Sequence, residues 1–360
     1  MKSKKVLLRV DLNVPVSHGV VDDDFRIKKT LPTIEKLRKE GAKVILLSHV
    51  GEKDGTLRPI YSYLRNYFPV KFVEDVYKAK DIVGSMEETE VVLFENLRKW
   101  EGEKDNNPEF AKHLASFGDL YINEAFSASH REHSSIVGIP KHLPSSLGDL
   151  FKKEVEELSK VFDPQHPFVF VLGGVKFSTK IPLIEKFLDK ADQIHIAGAL
   201  MNDMYKAKGF PVGKSVVDDS FDPSEKILNS SNLFLPTDVV VEDSKGEVYI
   251  KKPEEVLPNE KIMDIGPESL EKIHNDIIKC EFILWNGPLG NYENGYSEGT
   301  NELAHRISES GKDSIIGGGD TLSVVSKLNI LDKFTFVSTA GGAMLDFLAN
   351  GTLPGIEALK

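Results

Sequence analysis

The sequence predicts an α/β protein with two domains, each built on a parallel β-sheet. A chain of 360 residues is longer than one ordinary hydrophobic core accommodates. Short apolar runs rich in β-branched residues alternate with amphipathic stretches, which is typical of βαβ units. The alternation stops at Pro144–Gly148 and starts again after a long amphipathic stretch at 149–162. We therefore expect domains at residues 1–148 and 166–340, connected by a helix and linker at 149–165.

The composition argues against several classes of protein. The formal net charge is −11, whereas a general nucleic-acid binder or membrane-surface protein shows a basic excess. Cys280 is the only cysteine, and no run approaches the ~20 apolar residues that span a bilayer. The polar segment Met1–Lys5 leads into an apolar run without a signal-peptide pattern. These features predict a cytoplasmic protein that binds neither nucleic acid nor membranes. We also expect a monomer, although composition does not give the oligomeric state.

Polar residues follow each predicted strand of the first half. The predicted elements there are strands at Val6–Val10, Val44–Leu47, Val91–Phe94 and Leu120–Ile122, and a helix at Leu31–Glu40. Ligands of parallel sheets bind beyond the carboxyl ends of the strands. Guanidinium forks and imidazoles, which suit a small phosphate or carboxylate, stand at or near those ends. Any one of them alone reads as a surface residue, but together they predict an anion site: Arg26, His49, Arg98, His130 and Arg131.

The second half opens with a pair of lysines after its first strand. Lys176 and Lys180 are four residues apart, so they share one face if the segment is helical. Two cations near a helix N-terminus oppose the helix dipole, and an anion bridging them would explain their position. Two unconnected exposed lysines are the alternative. The predicted strands of this half are Phe168–Leu172, Ile194–Ile196, Phe282–Trp285 and Phe334–Val337, and a helical run extends to Leu188.

The segment Ser314–Thr321, S-I-I-G-G-G-D-T, has the pattern of a phosphate-binding turn. A strand runs into three glycines and then into a predicted helix, Leu322–Leu328. Glycines let a polyanion approach the backbone amides, and a helix N-terminus supplies unpaired N–H donors. Asp320 offers an oxygen ligand suited to Mg²⁺. A tight turn without any ligand is the alternative.

Two further loops of the second half suit a nucleotide. Ser338–Gly342 is a second glycine turn before a predicted short helix, Ala343–Leu348. The loop Asn286–Glu293 would form a flat slot for an aromatic base. The carboxylate of Glu293 could accept hydrogen bonds from ribose hydroxyls. By contrast, Gly209–Ser215 is one residue short of the phosphate-loop consensus and predicts an ordinary turn. The polar segment 236–265 predicts a peripheral hairpin.

The two halves together indicate phosphoryl transfer between a nucleotide and a small acid. No serine or cysteine nucleophile with a histidine partner is legible in the sequence, and no flavin or NAD fingerprint is present. A carboxylate acceptor is ionised at neutral pH and needs no general base. Positioning and charge neutralisation would then carry catalysis.

The chain resembles phosphoglycerate kinase from end to end. The resemblance rests on motifs that stand in the family's order: Val10-Asp-Leu-Asn-Val-Pro15, Ser48-His49, Glu95-Asn-Leu-Arg98, Tyr121-Ile-Asn-Glu-Ala-Phe126 with His130-Arg131, Leu172-Gly-Gly-Val-Lys176, Trp285-Asn-Gly-Pro288, Gly317-Gly-Gly-Asp-Thr321 and Ser338-Thr-Ala-Gly-Gly342. It implies two Rossmann-like domains joined by a helix and a hinge, with residues 341–360 returning to the N-terminal domain. It also implies the reaction ATP + 3-phosphoglycerate ⇌ ADP + 1,3-bisphosphoglycerate, dependent on Mg²⁺.

The resemblance also implies a role for individual residues. The implied 3-phosphoglycerate ligands are Asp11, Asn13, Arg26, His49, Arg98, His130 and Arg131. The implied nucleotide ligands are Gly173, Gly174, Lys176, Lys180, Gly198, Asn286, Pro288, Glu293, Gly317, Gly318, Gly319, Asp320 and Thr321, with Asp320 also holding the metal. The groups that would stabilise the transferring phosphoryl are Arg26, Lys176, Lys180, Gly341 and Gly342.

Three positions depart from the family pattern. Glu52 stands where the family usually has an arginine near the triose site, so either Lys53 or Arg58 replaces the lost cation or Glu52 points away. Ala340 replaces the first of three glycines, and Ala199 lies in another glycine motif. Two rival functions follow. One is a non-catalytic binding protein that kept the fold. The other is a kinase for a different small acid.

Overall fold

Two parallel β-sheets organise the chain, one in each of two units, in a computed structural model that describes residues 1–175 and 180–360. The first unit contains Met1–Glu156 together with Asn350–Lys360, and the second contains Glu157–Ala349. The predicted α/β fold with parallel sheets is therefore confirmed. None of the described helices is long and apolar enough to cross a bilayer.

The first unit is built on one six-stranded parallel sheet. Its strands are β1 (Lys5–Arg9), β4 (Lys43–Leu47), β5 (Val70–Val73), β6 (Val91–Phe94), β7 (Leu120–Asn123) and β8 (Ser145–Leu147), with a separate hairpin of β2 (Val16–Ser17) and β3 (Val20–Val21). Its helices are α1 (Phe25–Lys39), α2 (Arg58–Leu64), α3 (Lys80–Gly84), α4 (Glu101–Lys104), α5 (Pro108–Ala115), α6 (Asp149–Ser159), which begins here, and α14 (Pro354–Glu357).

The sheet of the first unit runs in the order β5-β6-β4-β1-β7-β8. Side chains of one strand alternate between two hydrophobic clusters: Val6 and Leu8 pack into one, and Leu7 into the other. Both faces of the sheet are thus covered, which explains why its strands are continuously apolar. Since all pairings are parallel, the carboxyl ends of β6, β4, β1 and β7 lie side by side at one edge.

The second unit contains a second parallel sheet and a small antiparallel one. Its strands are β9 (Phe168–Leu172), β10 (Gln193–Ile196), β11 (Leu233–Phe234), β12 (Val239–Glu242), β13 (Val248–Lys251), β14 (Lys261–Ile265), β15 (Phe282–Asn286), β16 (Asp313–Gly317) and β17 (Phe336–Val337). Its helices are α7 (Ile181–Phe187), α8 (Ala199–Ala207), α9 (Glu225–Leu228), α10 (Pro267–Lys279), α11 (Glu298–Ser310), α12 (Gly319–Val325) and α13 (Gly341–Asn350).

The parallel sheet of the second unit has the order β11-β10-β9-β15-β16-β17. Its strand β9 is completely buried, and the ring of Phe168 meets those of Phe187 and Phe282 edge to face. Residues 236–265, predicted as a peripheral hairpin, contain all three strands of an antiparallel sheet, β13-β12-β14.

Several element boundaries differ from the predictions. The long helix predicted at 149–162 is α6 followed by one 3₁₀ turn, Lys160–Phe162. Helix α12 begins at Gly319, three residues before the predicted start. The prediction relied on apolar periodicity, and the glycine-rich turn has no apolar side chains that would show where the helix begins. Similarly, α1 begins at Phe25, before the predicted helix, because it contains Pro32, a residue that usually marks the first turn of a helix and not its interior.

Candidate functional site

The predicted anion-binding residues of the first unit come from neighbouring strand ends. Asp11 and Asn13 follow β1, His49 follows β4, and Arg98 lies in a 3₁₀ turn after β6. Because β6, β4 and β1 are adjacent and parallel, these side chains share one edge of the sheet. This edge is the candidate acceptor site.

Arg26, at the start of α1, is tied to the loop after β1. Its Nη1 lies 3.1 Å from Oδ2 of Asp11 and donates to the carbonyl of Asn13 at 3.0 Å. Burial by itself would raise the pKa of Asp11, but Arg26 and hydrogen bonds from Ser127 and the Asn13 amide outweigh it, so that pKa lies below its ordinary value. Asp11 is thus an anion that orients the arginine.

His49 is oriented by a residue that sequence reasoning missed. Arg9, at the end of β1, is fully buried and approaches the imidazole with Nη2. Its Nε donates to Ser135 Oγ at 2.8 Å, and that hydroxyl donates to Glu103 Oε1 at 2.6 Å. The available signal was the charged Arg9 directly after the apolar residues Val6, Leu7 and Leu8 of β1.

The pKa of His49 is held well below its ordinary value, first by burial and then by the charge of Arg9. At neutral pH the ring is therefore uncharged. His49 therefore contributes a hydrogen-bonding imidazole to the predicted anion site, and no net charge.

Arg98 and Arg131 lie close enough to affect each other's electrostatics. Burial, and next the charge of Arg131, lower the pKa of Arg98. Arg131 and the half-buried His130 follow a 3₁₀ turn at Phe126–Ala128, beyond β7. Two guanidinium groups near one partly desolvated position form a strong anion site.

The side chain of Glu52 lies against Arg98 and does not point away from the site. Its Oε1 lies 3.2 Å from Nη1 of Arg98, and its Oε2 is ion-paired with Lys104. Arg58 is occupied elsewhere, in an ion pair with Glu74. Lys104, a residue that sequence reasoning did not single out, is thus the cation beside Glu52.

In the second unit, three loops cross at glycines. A Cβ on Gly173 would lie 2.1 Å from the carbonyl oxygen of Pro288, and one on Gly198 would lie 2.5 Å from the Gly174 nitrogen. The amide of Gly173 donates to Asn286 O at 2.9 Å, and that of Gly174 to Pro288 O at 3.1 Å. These amides are already satisfied by the backbone. Their glycines allow the ends of β9, β10 and β15 to meet.

Lys180 is a buried amine beside these glycines. Its Nζ donates to the carbonyl of Gly173, and its side chain is almost fully buried. Burial lowers the pKa of Lys180 to about 8, although the nearby Asp320 acts in the opposite direction. The other member of the predicted pair, Lys176, lies outside the described residues.

Asp320 lies in the first turn of α12 and is exposed. Tyr292 donates from its hydroxyl to Asp320 Oδ1 at 3.1 Å, and Thr321 accepts the amide of Gly287 at 2.8 Å. Among the described residues no group of three or more metal-ligating side chains occurs. One exposed carboxylate nevertheless fits Mg²⁺, which is commonly held by one or two carboxylates and the substrate's phosphates.

The other residues predicted to bind the nucleotide come from the glycine turn between β16 and α12 and from the loop after β15. Gly318 has φ +103°, and a Cβ there would lie 3.2 Å from Asn286 Nδ2, whereas Gly319 faces open space. Gly317 packs against Met344, and Glu293 is exposed in a 3₁₀ turn, Tyr292–Asn294.

The second glycine turn begins a helix. Gly341, with φ +47°, is the first residue of α13, and Gly342 is exposed. Ala340 is fully buried, and its amide donates to Ser338 Oγ at 3.2 Å. The methyl group of Ala340 is therefore accommodated within the turn.

Comparison with known proteins gives one consistent result. A family model described as phosphoglycerate kinase matches residues 1–351. The phosphoglycerate kinase of Dictyoglomus turgidum is 40% identical over 381 residues, which cover 100% of this chain and 96% of that protein. That of Coprothermobacter proteolyticus is 40% identical over 379 residues, with the same coverage.

Solved structures agree with the sequence comparison. The crystal structure of phosphoglycerate kinase from Pyrococcus horikoshii OT3 matches with a TM-score of 0.88 at 31% identity, covering 99% of this chain and 96% of that one. The structure of phosphoglycerate kinase from Coxiella burnetii matches with a TM-score of 0.81 at 36% identity, with the same coverage.

Proposed function

The chain belongs to the phosphoglycerate kinase family, and from that premise we propose that it transfers a phosphoryl group reversibly between ATP and the carboxylate of 3-phosphoglycerate. The products of the forward step are ADP and 1,3-bisphosphoglycerate, as in glycolysis and gluconeogenesis. We assign acceptor binding to the first unit and nucleotide binding to the second, with residues 149–165 connecting them. We also propose that the enzyme is a cytoplasmic monomer.

The observation that carries the proposal is that Arg131 lies near enough to the mostly buried Arg98 to lower its pKa, although the protein has a net charge of −11. Such a cluster costs stability unless an anion neutralises it. The acceptor's phosphate would lie on these two arginines and on His130. Its carboxylate end would lie near Arg26, Asn13 and the neutral imidazole of His49.

The chemical step needs no base from the protein. A carboxylate oxygen of the acceptor attacks the γ-phosphorus, and the bond from that phosphorus to the bridging oxygen breaks. The electron pair leaves with ADP, so no proton moves. Arg26 and Lys180 would neutralise the charge that develops on the transferring oxygens. Lys180 suits this role because its amine is already desolvated and therefore interacts strongly with an anion.

Asp320 would hold Mg²⁺, which when bound neutralises charge on the β- and γ-phosphates. The exposed turn at Gly318 and Gly319 leaves room for those phosphates. Gly173, Gly174 and Gly198 would act by permitting close approach of the loops, since the amides of all three already donate to backbone carbonyls. Pro288 and Glu293 would contact the base and ribose. We propose that the two units close on their ligands to bring the reacting groups together.

The test is formation of an acyl phosphate from 3-phosphoglycerate and Mg-ATP, trapped as a hydroxamate with hydroxylamine. Omitting the acceptor provides the control for ATP hydrolysis. An acceptor-dependent hydroxamate supports the proposal. No hydroxamate, while calorimetry shows both ligands bound, overturns it in favour of a non-catalytic binding protein.

The ion pair of Glu52 with Arg98 favours one second candidate, a kinase for a different small acid. A carboxylate that occupies the phosphate-binding arginine disfavours a phosphorylated acceptor. Running the same assay with glycerate and with 2-phosphoglycerate distinguishes the two candidates, because only a changed acceptor preference supports the second.

A further inference from the structure

Glu52 joins a solvent-exposed carboxylate to a buried guanidinium. Its side chain is 64% exposed, whereas that of Arg98, whose Nη1 lies 3.2 Å from Glu52 Oε1, is only 8% exposed. The second carboxylate oxygen is paired with Lys104, which is itself 46% exposed. Ion pairs with a solvent-exposed partner are individually weak, so little free energy is needed to separate the Glu52 carboxylate from Arg98 and Lys104.

Arg98 retains an unused donor for an anion. Its Nη1 donates to the carbonyl of Gly51 at 2.6 Å, but its Nε is buried and has no hydrogen-bond partner within residues 1–175 and 180–360. A buried donor without a partner costs free energy until a ligand satisfies it. The charge of Arg131 adds to the demand for an anion at this point.

The loop that carries Glu52 is fixed at its backbone. Nδ2 of Asn96 donates to the carbonyl oxygens of Val50 and Glu52, each at 2.8 Å, and to that of Gly55 at 3.1 Å. The amide of Gly51 donates to Oδ1 of Asn13 at 3.0 Å. The carboxylate can therefore leave Arg98 by side-chain rotation alone, without moving the loop.

We propose that Glu52 is an internal competitor that sets the affinity of the acceptor site, because its carboxylate occupies Arg98 until a ligand phosphate displaces it. This inference rests on the proposed function in placing the acceptor's phosphate at Arg98. A phosphate, with close to two negative charges at neutral pH, competes well against a single carboxylate. The consequence is an acceptor that binds less tightly and leaves faster than it would without Glu52.

The test is calorimetric titration of Glu52→Gln and wild type with 3-phosphoglycerate and, separately, with inorganic phosphate. The variant keeps the size of the side chain and removes the competing charge. We expect both ligands to bind about three- to tenfold more tightly, while the affinity for Mg-ATP is unchanged. Glu52→Ala should change the affinities in the same direction.

Glu90→Gln is the matched control. Glu90 is paired with Lys71 at 2.8 Å and stands directly before β6, at the opposite edge of the same sheet. Glu90→Gln removes one negative charge from the same unit as Glu52→Gln does. Unchanged ligand affinities in Glu90→Gln therefore exclude a general electrostatic effect.

Two outcomes overturn the inference. If Glu52→Gln weakens binding of 3-phosphoglycerate, Glu52 positions Arg98 instead of competing for it. If the affinities do not change, the ion pair has no effect on the site. Binding is measured without turnover, so the role of Glu52 is judged even if the wild-type protein forms no acyl phosphate, an outcome that would count only against the proposed reaction.

Discussion

Nη2 of Arg9 lies 3.1 Å from Nδ1 of His49, and both side chains are buried. An arginine has only donors, so Nδ1 of His49 must accept. The ring proton consequently resides on Nε2. Arg9 thereby fixes both the tautomer and the neutral state of the imidazole, and His49 presents an N–H donor at the edge of the sheet.

Replacing Arg9 with methionine should raise the pKa of His49. The nearby cation would be gone, while Asp11, which favours the charged ring, would remain. The pKa should stay below that of a free histidine, because burial, the larger cause, persists. An NMR titration of the imidazole measures this shift directly. The acceptor affinity of the variant should then vary with pH near the new value.

Arg65→Met is the control for this experiment. It removes one positive charge from an exposed arginine that stacks on Tyr61 with a separation of 5.8 Å. The pKa of His49 should not change in that variant. An unchanged pKa in Arg9→Met as well would show that Arg9 does not control the ring.

Arg26→Ala should abolish nearly all turnover while leaving nucleotide affinity intact. The guanidinium is held by Asp11 and Asn13 and is proposed to neutralise the transferring phosphoryl. Loss of one such donor typically costs about 10²–10³ in rate. Hydroxamate formation measures the rate, and calorimetry with Mg-ATP measures binding. Lys28→Ala, on the same helix and paired with Asp24, should retain activity. Turnover near the wild-type level in Arg26→Ala would refute the assigned role.

The sequence was informative about central strands such as β6, β9 and β15 because these are buried along their whole length. A run such as Phe168–Leu172 is apolar on both faces, so its bounds were predicted without error. The positions of Asp11, His49 and Arg98 followed from the rule that strand ends meet at one edge. Arg9 was missed because it lies inside the predicted strand Val6–Val10, whereas candidate site residues were sought only after the strand ends.

The orientation of Glu52 depends on contacts that sequence spacing does not report. Asn96 fixes the loop from a different strand end, and Lys104 comes from α4. The family resemblance implied that Gly173 and Gly174 bind the nucleotide, but whether their amides are free depends on the neighbouring loop. Here Asn286 and Pro288 accept those amides. Side-chain direction and backbone pairing between distant loops therefore required the structure.

Lys180→Met should stabilise the second unit while reducing activity. Burial lowers the pKa of Lys180 from 10.5 to about 8. Below pH 8 both the folded and the unfolded chain carry the proton, and the folded state bears the full cost of a desolvated charge. Between about 8 and 10.5 the folded amine loses its proton first, so this cost disappears as the pH rises. We expect the free energy of unfolding of the variant to exceed that of its parent by about 1–3 kcal/mol at pH 7. The hydrogen bond from Lys180 to the carbonyl of Gly173 is lost as well, which offsets part of the stabilisation.

The measurement is urea unfolding followed by the fluorescence of Trp285, which is fully buried in the second unit. Trp100 is the other tryptophan of the two, and Trp100→Phe removes its signal. The difference between Lys180→Met and its parent should shrink from pH 7 towards pH 10. Lys226→Met, which breaks an exposed pair with Asp189, should show no such trend. A gap that is constant with pH would mean that the buried amine is not the cause.

Gly198→Ala should be far more damaging than Gly209→Ala, although both glycines have positive φ, +64° and +81°. A Cβ at 198 would lie 2.5 Å from the nitrogen and 2.8 Å from the oxygen of Gly174, whereas one at 209 would meet nothing within 4 Å. Gly209→Ala should therefore cost only the strain of a left-handed alanine, about 1–2 kcal/mol. Gly198→Ala must also push apart the loops after β9 and β10. We expect it to cost about 3 kcal/mol or more and to weaken Mg-ATP binding. Urea unfolding in the Trp100→Phe background measures the loss of stability, and calorimetry measures the affinity for Mg-ATP. Equal stability costs at both positions would show that the crossing loops tolerate displacement.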